Sequence, residues 1–359
     1  MREDKQTDEK LTKVLRGLAP GTPLREGLEN VLRARTGGLI VVGDTPQVME
    51  LVDGGFKIDS EFLPSSLYEL AKMDGALILS HDARKILYAN AQLVPDPAIP
   101  SFETGIRHRT AERVAKQTGE LVIAISQRRN VISLYKGTMK YVLPDISVIL
   151  TKANQAIQTL EKYKAVLNQA LVNLSALEFE DLVTVQDVAT VIQRTEMVLR
   201  VVGEIEKYIA ELGTEGRLVS MQLEELVNNV ADEGLMIIRD YHPSAEQRSP
   251  EEIRAQIAAW SPEDLLDLLT VARALGYGGS IQVLDTSVTP RGFRILRKIP
   301  RFPMPVIEKL VGKFGNLQRI LSATIEELDD VEGIGEVRAR TIKDGLRRLR
   351  EQVLLDRHM

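Results

Sequence analysis

Short apolar runs, separated by turn-forming residues, recur through the first 147 residues of the chain. Runs of this length are typical of strands in a buried sheet. Apolar residues at helical spacing precede them over residues 11–35, with an interruption near Pro20 and Pro23, and further helical patterns lie between the runs. We therefore predict a mixed-sheet α/β domain. Its strands are predicted at residues 39–42, 76–79, 86–88, 121–125, 131–135 and 141–143, and its later helices at 46–52, 65–73 and 110–118.

The pattern changes near residue 149, where apolar residues begin to fall at a nearly heptad spacing. No proline occurs between Asp145 and Tyr241, which favours long helices. Lys164 interrupts the apolar seam, so the pattern favours a small helical bundle over a long two-stranded coiled coil. The seam comprises Ala153, Ile157, Leu160, Leu167, Leu171 and Leu174; further helices are predicted at residues 184–212, 218–240 and 262–275, with a break at 213–216 and a connector at 241–250.

Composition narrows the class of protein. A chain of 359 residues with 44% apolar and 27% charged residues is expected to form two or three globular domains. The absence of cysteine excludes disulfides and thiolate metal sites and fits a reducing cytoplasm. The charged first ten residues contain no signal-peptide core, and no run approaches the roughly 18 apolar residues of a membrane span. We expect a soluble cytoplasmic protein with no membrane partner.

Charge is distributed unevenly along the chain. The formal net charge is −5, but residues 291–359 carry 15 Lys and Arg against 10 Asp and Glu. This segment therefore has a charge of +5 and the remainder of the chain a charge of −10. A basic segment on an acidic chain predicts a localised polyanionic partner.

Residues 103–111, Glu-Thr-Gly-Ile-Arg-His-Arg-Thr-Ala, concentrate hydrogen-bond donors directly before a predicted helix. Helix N-termini offer free N–H groups and a partial positive charge to anions. Arg107 and Arg109 add planar guanidiniums that match phosphate oxygens, and Thr104 and Thr110 add hydroxyl donors. This arrangement favours a polyphosphate ligand. The alternative is a solvated basic turn in which Thr110 only caps the helix, with Glu112 in its first turn.

An acidic residue lies at the start of one predicted strand. Asp74 and Gly75 directly precede residues 76–79. A carboxylate beside a glycine can hold Mg²⁺ while the backbone approaches a nucleotide. Asp-Gly is also a common turn dipeptide, so the residues alone leave a simple turn open.

Near the C-terminus, Gly-Ile-Gly at residues 333–335 separates two helical patterns, 325–328 and 337–349. Such a hairpin exposes backbone N–H groups at the start of its second helix, where a DNA phosphate can bind without base readout. An earlier segment, 299–303, contains two prolines that lack N–H donors, so we expect it to pack and the later hairpin to bind phosphate. A hairpin used for protein contacts alone is the alternative. The predicted DNA-binding residues are Gly333, Ile334, Gly335, Arg338, Arg340 and Lys343.

Two motifs in the first half of the chain resemble a known pair. Asp74-Gly75-Ala76, followed later by Arg107-His108-Arg109-Thr110-Ala111, resembles the signature of the diadenylate cyclase domain, and residues 331–340 resemble the helix-hairpin-helix motif of DNA-repair proteins. From end to end, the chain resembles the DNA-integrity-scanning diadenylate cyclase family. The resemblance implies a multidomain α/β and all-α fold. Its parts are a mixed-sheet diadenylate cyclase domain over residues 1–147, a helical-bundle linker and assembly domain over 148–285, and a C-terminal helix-hairpin-helix DNA-binding domain over 286–359.

The resemblance implies condensation of two ATP molecules into cyclic di-AMP with release of two pyrophosphates. Each 3′-hydroxyl attacks the α-phosphorus of the opposite ATP, so two cyclase domains must face each other. Asp74 would hold Mg²⁺ or Mn²⁺ and help to activate the 3′-hydroxyl. The implied catalytic residues are Asp74, Arg107, His108 and Arg109, and the implied nucleotide-binding residues are Gly75, Leu93, Thr104, Ile106, Arg107, His108, Arg109, Thr110 and Ser126.

The resemblance also implies an assembly and partners. It implies a homo-octamer whose activity is suppressed by branched DNA, such as Holliday junctions, with a RadA-type recombination ATPase as a further partner. Such a protein would be cytoplasmic, would associate with the nucleoid when bound to DNA, and would signal DNA damage during repair. Ile106 departs from the family, which typically has threonine there. Isoleucine has no hydroxyl to donate to phosphate.

Two other functions are compatible with the same sequence. A non-catalytic scaffold would bind DNA through the tail and sense a nucleotide without converting it. A structure-selective DNA nuclease would need several convergent carboxylates, as two-metal nucleases do. Asp329 and Asp330 lie in the approach to the Gly-Ile-Gly hairpin and fit a solvated face better, and the predicted α/β domain has no acidic cluster. The intact Asp74 and the run 107–110 favour the cyclase over both.

Overall fold

The chain divides into two compact units. A computed structural model describes residues 2–243 and 248–357, with side chains from residue 10 onward. The first unit comprises residues 1–155 and 206–220, and the second comprises residues 156–205 and 221–359. Within the described ranges, every helix is too short or too polar to cross a membrane.

The first unit combines helices with a mixed sheet. Its sheet contains strands β1 to β8, and its helices include α1 to α5. The helices are α1 Arg2–Gly17, α2 Pro23–Arg33, α3 Pro46–Met49, α4 Pro64–Leu70 and α5 Ile106–Thr118; the strands are β1 Gly38–Val42, β2 Val52–Asp53, β3 Phe56–Glu61, β4 Ala76–Leu79, β5 Lys85–Leu93, β6 Leu121–Ser126, β7 Val131–Lys136 and β8 Met139–Val142.

The sheet has the strand order β2-β5-β4-β1-β6-β7-β8, and β3 also pairs with β5. β1 pairs with β4 in parallel, whereas the other pairings in the described sheet are antiparallel. The central strands are buried on both faces, because side chains alternate along a strand and helices cover both sides. Ile40 packs in one core cluster with Leu28 of α2, and the next residue, Val41, packs in another with Val114 of α5.

Most of the predicted elements of this unit are confirmed. The apolar runs coincide with β1, β4, β5, β6, β7 and β8, and the early helical pattern is divided between α1 and α2 at the two prolines. The predicted helix at 46–52 is wrong in its second half: α3 ends at Met49, and Val52 begins strand β2. β3 was not predicted because its residues are mostly exposed and polar, so they form no apolar run.

The remaining elements are helical. α6 is one helix of 35 residues, and the apolar seam predicted from residue 153 to residue 174 is buried along it. The helices are α6 Ile146–Glu180, α7 Val185–Leu212, α8 Arg217–Val227, α9 Val230–Tyr241, α10 Pro250–Ala258, α11 Pro262–Leu266, α12 Leu268–Ala274, α13 Phe293–Arg297, α14 Met304–Phe314, α15 Leu317–Ser322, α16 Ile325–Asp329 and α17 Glu336–Asp356, with short 3-10 turns at Gly213–Gly216 and Ile281–Asp285.

The helical predictions are confirmed with three differences. The predicted helix at 218–240 is broken at Asn229, whose φ of +66° cannot continue a helix. The pattern at 262–275 is likewise divided, at Asp267, which caps α12. α10 was missed, although Ser249 and Glu252 form a capping box at its start. The predicted connector at 241–250 lies partly outside the described residues, and the predicted domain boundaries at 147 and 285 stay predictions.

A buried ionic network ties α6 and α9 to α13 within the second unit. The guanidinium of Arg294 is 2% exposed and donates to the buried carboxylate of Glu178 and, at 2.9 Å, to Ser175 Oγ. Asp240 accepts the backbone N–H groups of residues 292, 293 and 294 at 2.7–2.9 Å, which caps the start of α13. Burial raises the pKa of Asp240 to about 7. The position of α13 therefore depends on charges that water does not screen.

Replacing Arg294 with methionine should destabilise the second unit by about 3–5 kcal/mol, because the Glu178 carboxylate is then buried without its partner. Adding Glu178→Leu should recover part of this loss, because it removes the buried charge but leaves the Tyr241 hydroxyl without its acceptor. Urea unfolding followed by the fluorescence of Trp260, the single tryptophan of the sequence, measures this unit. Arg347→Met, which removes an exposed pair with Asp344, is the control and should leave the midpoint nearly unchanged. Equal shifts for both arginines would contradict the assignment.

Candidate active site

A cleft of about 700 Å³ opens in the first unit at the edge of the sheet where strands β1 and β4 begin and β6 ends. It brings together the two motifs that the sequence analysis paired: Nη2 of Arg107 lies 3.3 Å from Oδ1 of Asp74. The start of β4, the first turn of α5 with the loop before it, and the turn after β6 form its walls. The lining residues are Asp74, Glu103, Thr104, Gly105, Ile106, Arg107, His108, Ile125, Ser126, Gln127, Arg128 and Arg129.

The sheet topology explains why these segments meet. β1 lies between β4 and β6; it is parallel to β4, with Ile40 opposite Leu77, and antiparallel to β6, with Gly38 opposite Ile125. The beginning of β4 and the end of β6 therefore lie at the same sheet edge, where β1 also begins. Asp74 precedes β4 and Ser126 ends β6, so this pairing places both at the mouth of the cleft.

Helix α5 begins earlier than the sequence predicted. The expected start at Thr110 is wrong, and so is the alternative in which Thr110 caps the helix: α5 begins at Ile106, with Gly105 as its N-cap. The first bond of the turn runs from the N–H of Arg109 to the carbonyl of Gly105, at 2.9 Å. As a glycine, Gly105 has no side chain that could accept from the N–H groups of the residues after it in the first turn. The first turn therefore directs unused backbone donors towards the cleft, where an anion is favoured.

The loop before α5 is fastened to the helix that follows it. Ser101 Oγ donates to the Glu112 carboxylate at 2.5 Å, and the N–H of Phe102 donates to the same carboxylate at 3.2 Å. Lys116 Nζ donates to the carbonyl of Pro100 at 2.8 Å. These bonds use side chains about two and three turns into the helix, so the loop and the helix start form one rigid wall. The sequence pattern predicted a later start for α5 because it contains no information about these contacts.

His108 belongs to this wall, and its imidazole is neutral. Burial lowers the pKa of His108, and the nearby carboxylate of Glu103 opposes part of that shift. Glu103 in turn accepts from the hydroxyl of Tyr135 at 2.9 Å and pairs with Lys140. Nε2 of His108 is buried and has no hydrogen-bond partner in the structure. A buried nitrogen without a partner in the wall of a cleft is suited to a ligand.

Asp74 is presented on a short, fixed turn. Its carboxylate is fully exposed, whereas the N–H of Gly75 donates to Oδ1 of Asn90 at 3.1 Å. A Cβ on Gly75 would lie 2.4 Å from the carbonyl carbon of Asn90, so only glycine fits against β5 here. The glycine is therefore needed for packing, whatever else it contacts. Asn90 was missed, and its position within an apolar strand is the signal that could have found it.

The cleft contains part of the predicted nucleotide-binding set. Thr104, Ile106, Arg107, His108 and Ser126 line it, as does the predicted metal-binding Asp74, but Gly75, Leu93, Arg109 and Thr110 do not. Leu93 is buried in the core cluster that also contains Val114, and Nε of Arg109 donates to the carbonyl of Glu103 at 3.3 Å. The Ile106 side chain, which departs from the family, is exposed.

Two cations at the rim were not predicted. Arg128 and Arg129 are exposed in the turn between β6 and β7 and line the cleft. Their signal in the sequence was a basic turn, Gln-Arg-Arg-Asn, between two predicted strands. With Arg107 they give the cleft three guanidiniums, which suits a ligand carrying several negative charges.

The cleft offers few protein ligands to a divalent cation. Nowhere in residues 2–243 and 248–357 do three or more His, Asp or Glu side chains converge as a metal cage. Asp74 offers one exposed carboxylate in a cleft otherwise rich in cations. Mg²⁺ is commonly held by one or two carboxylates together with substrate phosphates and water. The residues therefore fit an ion that shares its ligands with a bound polyphosphate.

The second candidate region is the turn before α17, in the second unit. Gly333 has a φ of +87°, and Gly335 caps the helix without a side chain, so the N–H groups of the first turn are available. Ile334 is buried and contributes only its backbone. Arg338 and Arg340 are exposed, although Nη1 of Arg338 donates to the carbonyl of Gly333 at 2.5 Å and Arg340 pairs with Glu336. Lys343 is half-buried, and its Nζ donates to the carbonyl of Leu321 at 2.9 Å.

The earlier, proline-containing segment packs against the same helix. Ile299 is buried, and a Cβ on Gly345 of α17 would lie 3.1–3.3 Å from its side-chain atoms. Val306 of α14 lies 3.9 Å from the position of a Cβ on Gly333, so the two turns are neighbours. The expectation that residues 299–303 pack is therefore met at Ile299.

His108 should titrate below the usual imidazole pKa of about 6.5, because burial disfavours its charged form. As the pH falls through 6.5, the ring should remain neutral longer than a solvated histidine. Glu103→Gln should lower the midpoint further, because it removes the carboxylate that favours the imidazolium. Histidine ring resonances followed by NMR, with His108→Gln for assignment, measure both shifts. A midpoint above 6.5, or a rise in the Gln variant, would contradict this environment.

Comparison with known proteins identifies the family. Residues 25–139 match the family described as DisA bacterial checkpoint controller nucleotide-binding, and residues 143–284 match the DisA bacterial checkpoint controller linker region. The DNA integrity scanning proteins DisA of Carboxydothermus hydrogenoformans and Symbiobacterium thermophilum are 67% and 65% identical, over 96% of this chain and 98% and 97% of theirs. That of Clostridium botulinum is 58% identical over 98% of this chain and 99% of its own. The chain therefore belongs to the DisA family of diadenylate cyclases, and it is a nucleotidyltransferase.

Proposed function

We propose that the chain condenses two ATP molecules into cyclic di-AMP, with release of two pyrophosphates, and couples this reaction to the binding of branched DNA. The observation that carries the first half is the cleft in which Asp74 meets the uncapped N-terminus of α5. An acidic group and an anion-binding helix end within one cleft are what nucleotidyl transfer from a triphosphate needs.

The start of α5 holds the triphosphate. Its unused N–H groups, Arg107 and the neutral ring of His108 donate to phosphate oxygens, and Arg128 and Arg129 line the same cleft. Thr104 and Ser126 can add hydroxyl donors. Ile106 contributes its backbone N–H, because its side chain has no hydroxyl. We keep Arg109 and Thr110 among the proposed nucleotide-binding residues because they lie in the first turns of α5. We keep Gly75 and Leu93 because their backbone lies at the sheet edge beside the cleft.

Asp74 acts on the attacking group. The 3′-oxygen of one ATP forms a bond to the α-phosphorus of the other, the bond from that phosphorus to the β-phosphate bridging oxygen breaks, and the 3′-hydroxyl proton leaves towards Asp74. Negative charge grows on the departing pyrophosphate, where Arg107 and the helix end stabilise it. A Mg²⁺ or Mn²⁺ ion held by Asp74 and phosphate oxygens would supply further charge neutralisation.

The stoichiometry requires two clefts in contact. Each cleft binds one ATP, so a closed cyclic product needs two copies of the cyclase domain face to face. We propose a homo-octamer in which the helical middle of the chain joins these pairs. The exposed, rigidly held start of α5 is compatible with contact to a second copy.

The tail is proposed as a helix-hairpin-helix DNA-binding domain. The N–H groups around Gly335 and the exposed Arg338 and Arg340 would bind the backbone of branched DNA, such as a Holliday junction. The name of the relatives, DNA integrity scanning protein, supports this partner. We propose that DNA of this kind suppresses turnover during DNA damage and repair, that the protein is cytoplasmic and nucleoid-associated when bound, and that a RadA-type recombination ATPase is a further partner.

Asp74→Asn should lower the rate of cyclic di-AMP formation from ATP and Mg²⁺ or Mn²⁺ by at least about 100-fold, because the amide neither takes the proton nor neutralises a metal ion. Mass-resolved chromatography of the products measures this rate. ATP binding should persist, since the phosphate donors of α5 are intact.

Asp82→Asn is the matched control, because this exposed carboxylate lies in the turn after β4, at the opposite end of the strand from Asp74. It should keep the wild-type rate. A wild-type protein that binds ATP without forming product would favour the nucleotide-sensing scaffold over the cyclase.

Arg338→Ala and Arg340→Ala should each weaken binding to a four-way junction about 3- to 10-fold and reduce the salt slope of the affinity by about 1, because each removes one phosphate contact. Lys343→Ala should change the slope less, since its ammonium is directed to the carbonyl of Leu321. Fluorescence anisotropy over a series of salt concentrations measures these quantities.

Arg84→Ala, an exposed arginine in the first unit, is the charge-matched control and should leave DNA affinity unchanged. Unaltered slopes in both tail variants would remove the hairpin from the DNA site. Turnover that is identical with and without the junction would contradict the proposed coupling.

A further inference from the structure

Gly37 lies directly beside the cleft without lining it. It is buried, immediately precedes β1, and has a φ of +72°, in the left-handed region that favours glycine. Its neighbour Gly38 pairs with Ile125 at the end of β6. Gly37 therefore lies at the same sheet edge as Asp74.

A side chain at position 37 would collide with the Arg107 guanidinium. A Cβ built on Gly37 would lie 2.7 Å from Nη1 of Arg107, 3.6 Å from its Cζ and 3.2 Å from the carbonyl oxygen of Ile125. The carbonyl belongs to a central strand and has little freedom to move, whereas the guanidinium ends a flexible side chain. The guanidinium is therefore the group that a methyl at this position would displace.

The same guanidinium makes the contact that joins the two motifs of the site. While Nη1 lies over Gly37, Nη2 lies 3.3 Å from Oδ1 of Asp74. Because a guanidinium is planar and rigid, a displacement at one terminal nitrogen also moves the other. The space left by the missing side chain at position 37 thus determines where Arg107 meets Asp74.

We propose that Gly37 is a positioning residue for nucleotidyl transfer, holding the Arg107 guanidinium beside Asp74 and at the phosphate-binding start of α5. Its effect on turnover rests on the proposed function of the cleft. Its effect on ligand binding does not require the reaction. Small misplacements of a phosphate-binding group are costly because the reacting atoms must be aligned.

The test compares Gly37→Ala with Gly119→Ala. Gly119 follows α5 with a φ of +74°, so alanine meets the same backbone strain there, but a Cβ would have no atom within 4 Å. Gly37→Ala should lose somewhat more in melting temperature than Gly119→Ala, because its Cβ also crowds the carbonyl oxygen of Ile125. Two quantities are measured for both variants: the calorimetric affinity for 3′-deoxy-ATP, which lacks the attacking hydroxyl, and the rate of cyclic di-AMP formation. Both measurements are repeated in an Arg107→Ala background.

Gly37→Ala should weaken binding of 3′-deoxy-ATP roughly 10-fold, the cost of a displaced charge-assisted hydrogen bond, and Gly119→Ala less than about 2-fold. In the Arg107→Ala background, Gly37→Ala should have less than about a 2-fold further effect, because the group through which it acts is gone. Equal effects of the two glycine variants, or an undiminished effect without the arginine, would overturn the proposal.

The two proposals fail in different ways. If the wild-type protein forms no cyclic di-AMP, the proposed reaction fails, but the binding comparison still decides whether Gly37 acts through Arg107. If the wild-type protein turns over ATP and Gly37→Ala does so at the rate of Gly119→Ala, the positioning role fails and the reaction stands.

Discussion

The candidate active site depends on the pairing of β1 with both β4 and β6. One partner is parallel and the other antiparallel, so the start of one strand and the end of the other lie at a single sheet edge. Residues far apart in the chain meet there: the acidic turn before β4, the basic turn after β6, and the glycine before β1. A shift of one residue in either pairing would turn these groups away from one another.

Electrostatics then determines what this edge can bind. A helix start with no capping side chain, three guanidiniums and a neutral histidine with a buried, unpartnered nitrogen all favour an anion. Two carboxylates lie among these cations: that of Asp74 is fully exposed, whereas that of Glu103 is paired with Lys140. The cationic groups suit a ligand that carries several negative charges at one end. The Asp74 carboxylate suits a reaction in which a proton leaves from the other end of that ligand.

The helical unit is organised by a different constraint. Its core is apolar over most of its length, but Arg294, Glu178 and Asp240 are buried together where α6, α9 and α13 meet. Buried charges of this kind are satisfied in one arrangement and costly in others, which makes them suited to specifying orientation. The hairpin before α17 belongs to the same packed unit, so its backbone donors are presented by a fixed scaffold.

Much of the secondary structure could be predicted from the sequence, because local patterns control it. The apolar runs of β1, β4 and β6 and the seam of α6 were recognisable, since burial on both faces or along one stripe leaves a direct trace in residue order. β3 left no such trace because it is mostly exposed, and α3 ended early because Val52 is needed in a strand pair. The start of α5 was misplaced because contacts from Glu112 and Lys116, about two and three turns later, hold the loop before it.

By itself the sequence determined the family, with a nucleotide-binding region followed by a linker region, because motifs preserve the chemistry that a reaction needs. Only the tertiary structure decided which residues share the cleft. It placed Arg128 and Arg129 at the rim, Leu93 in the core, and Gly37 beneath the Arg107 guanidinium. The reason is physical: distances between residues remote in sequence are set by strand pairing and packing, and neither has a local signature in the chain.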